Sequence, residues 1–406
     1  MTADTAGCPV HDYPFDLPTA IDAPPLWADL RTQCPVAGIR LPSGDPALLL
    51  TRHSDVKATL ADPRWERHLD PAKGAARVSA QEDGGVFSSN AALGLSGDDH
   101  TRWRRLLSRS FTAKRVNDLR PRITEIAQEL LDDMRAGERP GNLTAALSFP
   151  LPVRVICELL GVPHTDWERF ARWSNLLLST TAYTQDEINL GRVAFTEYLR
   201  DHIAAKRANP SDDLISELTG IRDADDGRLS DAELMFTAMG LLVAGHETTA
   251  NMISKMVAML LADRTRWAAL LADRAMIRAA VEEILRMDAN AGFGIPRFIT
   301  EDVELSGVTV KAGSTVVNSL AAANRDPDAF PDPERFDLTR GANAHVAFGA
   351  GAHSCLGQSL ARAELQVVLG VLLDRVPSLD LAVGVSALQR RTGLVIGGLT
   401  ALPVTW

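Results

Sequence analysis

The residues best suited to chemistry lie between His345 and Arg362, where the sequence reads HVAFGAGAHSCLGQSLAR. Glycines stand on both sides of Cys355, and glycine lets a backbone take positive φ or approach a ligand closely. Cys355 also comes directly before a strongly helical stretch. The unpaired N–H groups and partial positive charge of a helix N-terminus favour a thiolate, so we expect a lowered thiol pKa that suits metal ligation.

Two other interpretations of this segment were weighed. A lone cysteine near glycine is commonly a small buried hydrophobe. The run Gly349-Ala350-Gly351 could also open a dinucleotide-binding loop. The second interpretation fails because Ser354 occupies the place of the third glycine, and because the 49 residues after Gly357 hold too few strands for a doubly wound sheet.

A second unusual segment reads Ala-Gly-His-Glu-Thr-Thr from Ala244 to Thr249, inside a long predicted helix. Glycine and threonine are unfavourable in helix interiors, so their presence there calls for a reason. One explanation is a threonine back-bond that bends the helix. The other is a functional site on this face.

Together the two segments resemble the cytochrome P450 monooxygenases. The positions that match the haem-binding signature of this family are Phe348, Gly349, Gly351, His353, Cys355, Gly357, Leu360, Ala361 and Arg362. The resemblance implies that Cys355 is the thiolate ligand of the iron of haem b, with Phe348 and Gly357 in the cofactor-binding loop. It also implies a fold that is mainly α with a small β subdomain.

The resemblance extends to the central helix. Glu247 and Thr248 match the acid and alcohol of the family, which implies that Thr248 hydrogen-bonds dioxygen and that Glu247 helps relay protons. Gly245 is expected to make room for oxygen.

Glu283 and Arg286 match the structural ExxR pair of the family, and Arg335 is expected to close a triad with them that fixes the loop before the cysteine. The pair by itself is weak evidence, because 197–200 has the same spacing and such pairs are often surface salt bridges. Its position, 72 residues before Cys355, favours the structural assignment.

Haem carries two propionates, and the resemblance names four residues to bind them. His100 and Arg104 lie four residues apart, on one face of a predicted helix. Arg297 and His353 match the other two contacts.

Three further arginines of the same helix, Arg102, Arg105 and Arg109, fall within about 60° of one another on the side opposite His100. A cationic stripe on an acidic protein suggests docking of an acidic partner. For this family the partner would be an electron donor such as a ferredoxin.

The substrate side is assigned only by analogy with the family. Most of the expected lining residues are apolar, which suggests a mainly hydrophobic small molecule such as a secondary metabolite. They are Phe87, Asn90, Leu242, Val243, Ala244, Phe293, Thr392 and Leu394.

The elements that position these residues are mostly helical. Apolar residues three and four apart predict helices over 101–111, 116–134, 152–160, 166–178, 186–207, 231–261, 264–271, 274–287 and 358–375. Extended segments are predicted at 47–50, 296–300, 303–305, 308–310, 315–318, 394–396 and 401–404. We expect one domain over 1–406, with β-rich portions near 36–52, 290–320 and 379–406.

Composition excludes several classes of protein. The net charge of −10 argues against nucleic acid as a partner. Four cysteines are too few for a disulfide scaffold, so we expect reduced thiols in the cytoplasm. The uncharged run at 234–245 is too short to cross a bilayer.

The expected activity is therefore a monomeric haem-thiolate monooxygenase that uses O2. Electrons would come from NAD(P)H through a ferredoxin reductase and a ferredoxin. Three alternatives stay open at this point: oxidative coupling of substrates without oxygen insertion, a peroxide-driven enzyme, and a haem-binding protein without turnover.

Overall fold

The computed structural model describes residues 8–79, 97–220, 229–289, 292–341 and 343–406. Helices dominate these ranges. They are α1 Leu26–Gln33, α2 His53–Ala61, α3 Gly97–Ser108, α4 Ala113–Ala136, α5 Pro150–Leu160, α6 Trp167–Leu177, α7 Gln185–Ala208, α8 Leu214–Gly220, α9 Asp231–Leu261, α10 Arg264–Ala272, α11 Ile277–Met287, α12 Leu320–Ala323 and α13 Gln358–Arg375.

Short strands form the smaller part of the fold. They are β1 His11–Asp12, β2 Val36–Arg40, β3 Pro46–Leu50, β4 Trp65–Glu66, β5 Gly141–Asn142, β6 Ile295–Ile299, β7 Val303–Leu305, β8 Val308–Val310, β9 Ser314–Asn318, β10 Asp380–Leu381 and β11 Pro403–Thr405. The largest sheet has the order β1-β2-β3-β9-β6-β4. The prediction of a mainly α fold with a small β part is confirmed.

Helix α9 is the centre of the helical part. It begins with a capping box, in which the Ser230 side chain and Glu233 satisfy the first backbone N–H groups. From Thr249 to Leu261 every residue is buried. The helix packs against α5, α6, α7 and α13, so its middle turns lie deep in the molecule.

The large sheet brings distant segments of the chain together. Strand β9 pairs with β3 on one side and with β6 on the other, and β6 also pairs with β4. Arg297 of β6 therefore lies beside the residues that follow β4. The sheet packs on the larger core through Ile39, Leu49 and Phe298, and alternate strand residues such as Leu48, Leu50 and Val316 belong to a second apolar cluster.

Two details differ from the sequence predictions. Leu394 forms only an isolated bridge with Ser179, so the predicted strand at 394–396 is wrong. Cys8 and Cys34 form a disulfide, because the end of α1 lies close to the segment before β1, whereas all four cysteines were expected to be reduced.

No helix in the described ranges is long and apolar enough to cross a membrane.

Gly245 has a packing role in the structure. A Cβ at this position would lie 2.8 Å from Cγ1 of Ile156, a buried residue of α5. The missing side chain therefore allows α5 and α9 to approach closely, and the expectation that Gly245 also makes room for oxygen stays a prediction.

We expect Gly245→Ala to lower the free energy of unfolding by about 1–3 kcal/mol, because the added methyl overpacks the contact with Ile156. Gly220→Ala is the matched control, since a Cβ there meets nothing within 4 Å. Thermal unfolding followed by circular dichroism measures both variants. Equal midpoints for the two would show that the helices do not need this glycine.

Candidate active site

The loop that carries Cys355 is shaped by glycines. Gly349 and Gly351 have φ values of 73° and 72°, a region that favours glycine. A Cβ on Gly351 would lie 2.6 Å from the Cα of Ala61, so only glycine lets this loop pack on α2. The Cys355 N–H donates to the Phe348 carbonyl at 2.8 Å, which closes the loop just before α13.

The Phe348 ring packs against the charged side chain of Arg362. The Arg362 guanidinium lies 4.4 Å from the centre of the Phe348 ring, in cation–π contact. Arg362 also forms an ion pair with Glu282, which His345 contacts as well. Burial alone would raise the pKa of Glu282, but these two partners outweigh it and lower that pKa to about 2. The carboxylate therefore stays charged and anchors the loop.

Cys355 is exposed to solvent, but protein atoms pack around most of its thiol. This burial raises its pKa, against the opposing effects of the Gly357 N–H, Arg104 and Arg362. The prediction of a lowered pKa is wrong, because desolvation of a thiolate outweighs the favourable groups around it, including the N–H at the start of α13. A bound cation at the sulfur would reverse the balance.

Four of the predicted propionate-binding residues do come together. The rings of His100 and His353 lie 3.9 Å apart, and Arg104 donates to the Ser354 carbonyl at 2.7 Å. Arg297 is buried, and its guanidinium donates to a neighbouring backbone carbonyl.

Arg67 is a fifth member that the sequence did not indicate. Its Nη1 lies 2.9 Å from Nδ1 of His353. Arg67 follows β4, and it reaches Arg297 only because β4 pairs with β6. A lone arginine after a two-residue strand carries no signal of this role.

The charges of this cluster are uncompensated. Burial, and then the neighbouring positive charges, lower the pKa of Arg67 to about 10 and that of Arg297 to about 9. The same two causes lower the pKa of His353 to about 3 and also lower that of His100. No carboxylate of the described residues is among the groups that shift these values. Buried cations of this kind call for an anion with more than one negative charge, which the two propionates of haem would supply.

The solvent-exposed residues in the middle of helix α9 lie on one face. Ala244 is exposed in the middle of an otherwise buried stretch, and Thr248 lies one turn further on and is half-buried. Thr248 Oγ1 donates to the Ala244 carbonyl at 2.7 Å, which is the back-bond considered above. Ala244 and Thr248 therefore mark the open side of the helix.

Glu247 points elsewhere. Its side chain is 1% exposed, and Oε2 accepts a hydrogen bond of 3.0 Å from Nη2 of Arg391. His246 lies beside it, with Nε2 3.8 Å from Glu247 Oε1. No pattern in the sequence indicates Arg391, which lies 144 residues away in the C-terminal part of the chain.

The structural triad contains a different arginine from the predicted one. Glu283 and Arg286 form a buried bidentate ion pair at 2.8 Å, as expected. The third member is Arg340, whose Nε lies 3.1 Å from Glu283 Oε2. Arg335 is wrong in this role, because its side chain is 65% exposed and pairs with Asp337.

The structure separates the predicted substrate residues into three groups. Phe87 and Asn90 lie outside the described residues. Leu242, Val243 and Phe293 are buried in the helical core, and the Phe293 ring packs edge-on against Tyr13. Ala244 and Thr392 are exposed and Leu394 is half-buried. The assignment of these six residues to a pocket lining stays a prediction.

The predicted cationic stripe on α3 is only partly present. Arg102 forms ion pairs with Glu233 at the start of α9 and with Asp99, and its side chain is 28% exposed. The prediction that Arg102 belongs to the cationic stripe is wrong, because the start of α9 lies against that part of α3. Arg105 and Arg109 are exposed.

Comparison with known proteins agrees with this geometry. A family model described as "Cytochrome P450" matches residues 263–376. "Nocardicin C N-oxygenase" of Nocardia uniformis subsp. tsuyamanensis is 44% identical over 98% of both chains. "Mycinamicin IV hydroxylase/epoxidase" of Micromonospora griseorubida is 41% identical over 97% of this chain and 98% of the relative. The solved structure of "the Putative Thioether Synthase SgvP" superposes with a TM-score of 0.92 and 40% identity, covering 98% of this chain and 100% of that one.

We expect Arg340→Ala to lower stability by about 3–5 kcal/mol, because it takes one partner from a buried ion pair. The anchoring of the loop before Cys355 should weaken with it. Arg335→Ala, the matched control, should behave like the parent chain. Thermal unfolding and the amount of haem retained after gel filtration measure both effects. Retention of haem and stability by Arg340→Ala, with their loss in Arg335→Ala, would restore the original assignment.

Proposed function

This chain belongs to the cytochrome P450 family and is a haem-thiolate monooxygenase, and from that premise we propose that a separate ferredoxin supplies its electrons and that its substrate is a mainly apolar secondary metabolite. The names of two relatives give nocardicin C and mycinamicin IV as the molecules that those enzymes oxidise.

The residues around Cys355 fit haem. Cys355 would be the ligand of the iron, and Arg67, Arg104, Arg297 and the two histidines would hold the propionates. The observation that carries this assignment is the cluster of buried cations without a carboxylate among them. When bound, haem with a thiolate ligand supplies the redox chemistry that activates dioxygen.

Two side chains of α9 would handle hydrogen bonds and protons. Thr248 lies on the open side of the helix, where its hydroxyl can leave the Ala244 carbonyl and donate to a ligand. Glu247 is a buried carboxylate of which Oε1 has no hydrogen-bond partner in the described part of the chain. Oε1 is therefore the atom able to take up a proton and pass it on.

The substrate would lie against the exposed side of α9. Ala244 leaves space there, and Thr392 offers a hydroxyl beside the apolar Leu394. A small residue, an apolar contact and one polar group suit a bulky hydrophobic molecule with a few polar substituents.

Oxidative coupling without net oxygen insertion is a second candidate. One of the similar solved structures is described as a thioether synthase, and it has a TM-score of 0.92 to this chain. A site that forms a carbon–sulfur bond can thus have nearly the same backbone.

We also propose the source of the electrons, the cellular compartment and the oligomeric state. NAD(P)H would reduce a ferredoxin reductase, which reduces the ferredoxin, and this requirement places the enzyme in the cytoplasm. We propose a monomer, with one domain over 1–406 built around the haem.

The reaction is tested with NADPH, a ferredoxin, a ferredoxin reductase and a panel that includes nocardicin C and mycinamicin IV. We expect at least one compound to shift the absorption of the haem and to gain one oxygen atom, as measured by mass spectrometry. Loss of two hydrogens without added oxygen would favour coupling. Turnover with hydrogen peroxide alone that is faster than turnover with NADPH, reductase and ferredoxin would contradict the need for a ferredoxin. Cys355→Ala is the control, and it should lose the carbon monoxide difference band at about 450 nm that thiolate ligation gives.

Docking of the ferredoxin is expected at the exposed end of α3. Arg105→Glu with Arg109→Glu should slow reduction by the ferredoxin about tenfold at low salt, because the acidic partner loses its electrostatic attraction. Stopped-flow reduction at several salt concentrations measures this effect. Arg200→Glu, on the exposed surface of α7, is the control. An unchanged rate and salt dependence in the double variant would exclude this face.

A further inference from the structure

Arg391 is the centre of a buried polar cluster that joins three parts of the chain. Its Nη2 donates to Oε2 of Glu247 at 3.0 Å and to Oδ1 of Asn251 at 2.8 Å. Its Nη1 donates to Oδ1 of Asn175, on α6, at 3.2 Å. One guanidinium thus connects the acid of α9 to the neighbouring helix.

The segment that carries Arg391 is held firmly. Residues 389–400 form the C-terminal hairpin, in which Arg391 N–H donates to the Gly398 carbonyl at 2.8 Å. A Cβ on Gly398 would lie 1.8 Å from Asn251 Oδ1, so the hairpin rests directly on α9. At its tip, the Gly393 carbonyl accepts hydrogen bonds from the N–H groups of Thr180 and Thr181. The guanidinium therefore reaches Glu247 from a fixed backbone.

Four buried atoms of the cluster have no hydrogen-bond partner among the residues that the structure describes. They are His246 Nε2, Glu247 Oε1, Asn251 Nδ2 and Arg391 Nε. His246 donates from Nδ1 to the Leu242 carbonyl at 2.5 Å, and burial lowers its pKa, so the neutral ring leaves Nε2 as an acceptor. The set thus contains two acceptors and two donors, which is the complement that bridging water requires.

The two oxygens of Glu247 are therefore not equivalent. Oε2 is engaged by Arg391, whereas Oε1 has only the unprotonated Nε2 of His246 nearby, at 3.8 Å. Two acceptors at this distance cannot hydrogen-bond each other without a proton or a water between them. The next residue, Thr248, lies on the open side of the helix.

We propose that Arg391 is the positioning residue of Glu247, holding Oε2 so that Oε1 carries the proton. The proton arrives at Oε1 from bridging water, and the carboxyl returns to carboxylate when it passes the proton toward Thr248. This inference rests on the proposed role of Glu247 in proton delivery. The hairpin also bears Thr392 on the substrate side, so the residue that fixes the acid and a residue that meets the substrate are neighbours.

The test compares Arg391→Gln with the parent chain, using 7-ethoxycoumarin as the probe. Turnover driven by NADPH and ferredoxin requires delivered protons, whereas hydrogen peroxide brings its own. We expect the NADPH-driven rate of Arg391→Gln to fall about tenfold and the peroxide-driven rate to stay within about twofold, in line with the loss of an acid–base group. An unchanged ratio of the two rates would overturn the proposal.

Two companion variants separate the possible failures. In Glu247→Gln the ratio should fall as well, and adding Arg391→Gln to it should cause no further loss if Arg391 acts through Glu247. A wild-type ratio in Glu247→Gln would mean that the proposed proton role itself is wrong. A fall in Glu247→Gln without one in Arg391→Gln would remove only the role of Arg391.

Folding and geometry are checked independently of turnover. Crystal structures of Arg391→Gln should show the Glu247 carboxylate turned away from Asn251, and an unmoved carboxylate would contradict the proposal. If Arg391→Gln does not fold, Arg391→Lys decides, because an ammonium cannot reproduce the planar fork of donors. We expect its ratio to fall about two- to threefold, and a wild-type ratio would overturn the proposal. Arg390→Gln, one residue away on the same hairpin, is the control.

Discussion

A single buried carboxylate, Glu283, holds the segment that leads to Cys355. Its two oxygens accept hydrogen bonds from Arg286, Arg340 and the backbone N–H of Asp337. Arg286 also donates to the Asn324 carbonyl, so the same guanidinium ties α11 to the start of the loop region. Because these groups are charged and desolvated, the loss of any one of them leaves a buried charge without a partner. The position of the cysteine therefore depends on the whole set of hydrogen bonds.

The opposite arrangement occurs on the other side of the cysteine. Arg67, Arg104 and Arg297 converge with two histidines, and no acid of the described residues is among the groups that shift the pKa values of Arg67, Arg297 and His353. Buried positive charges of this kind call for a ligand that brings negative charge. The half of the site around Glu283 thus has its partners within the chain, whereas the haem propionates would supply the partners of the other half.

Helix α9 divides its tasks between two faces. Ala244 and Thr248 lie on the open face, where a substrate or oxygen would lie. Glu247 turns toward the C-terminal hairpin and Arg391. Successive residues of a helix point about 100° apart, so one acid and one alcohol can serve adjoining spaces without competing for them.

The spacing of residues along the sequence determined several local groups of the site. The thiol before a helix, the Glu283 and Arg286 pair and the sequence from Ala244 to Thr249 could be recognised because each lies within a few residues or one helical turn. His100 and Arg104, which are proposed to bind the propionates, could be singled out for the same reason, since one helix presents both.

Only the tertiary structure decided which distant residues complete these local groups. Arg340 rather than Arg335 reaches Glu283, Arg67 joins Arg297 through the pairing of β4 with β6, and Arg391 binds Glu247 across 144 positions. The pKa of Cys355 is likewise raised by the atoms packed around it, not set by the helix that follows. A long flexible side chain carries no periodicity that reveals its partner, and burial depends on the whole packed chain, so neither could be predicted from spacing alone.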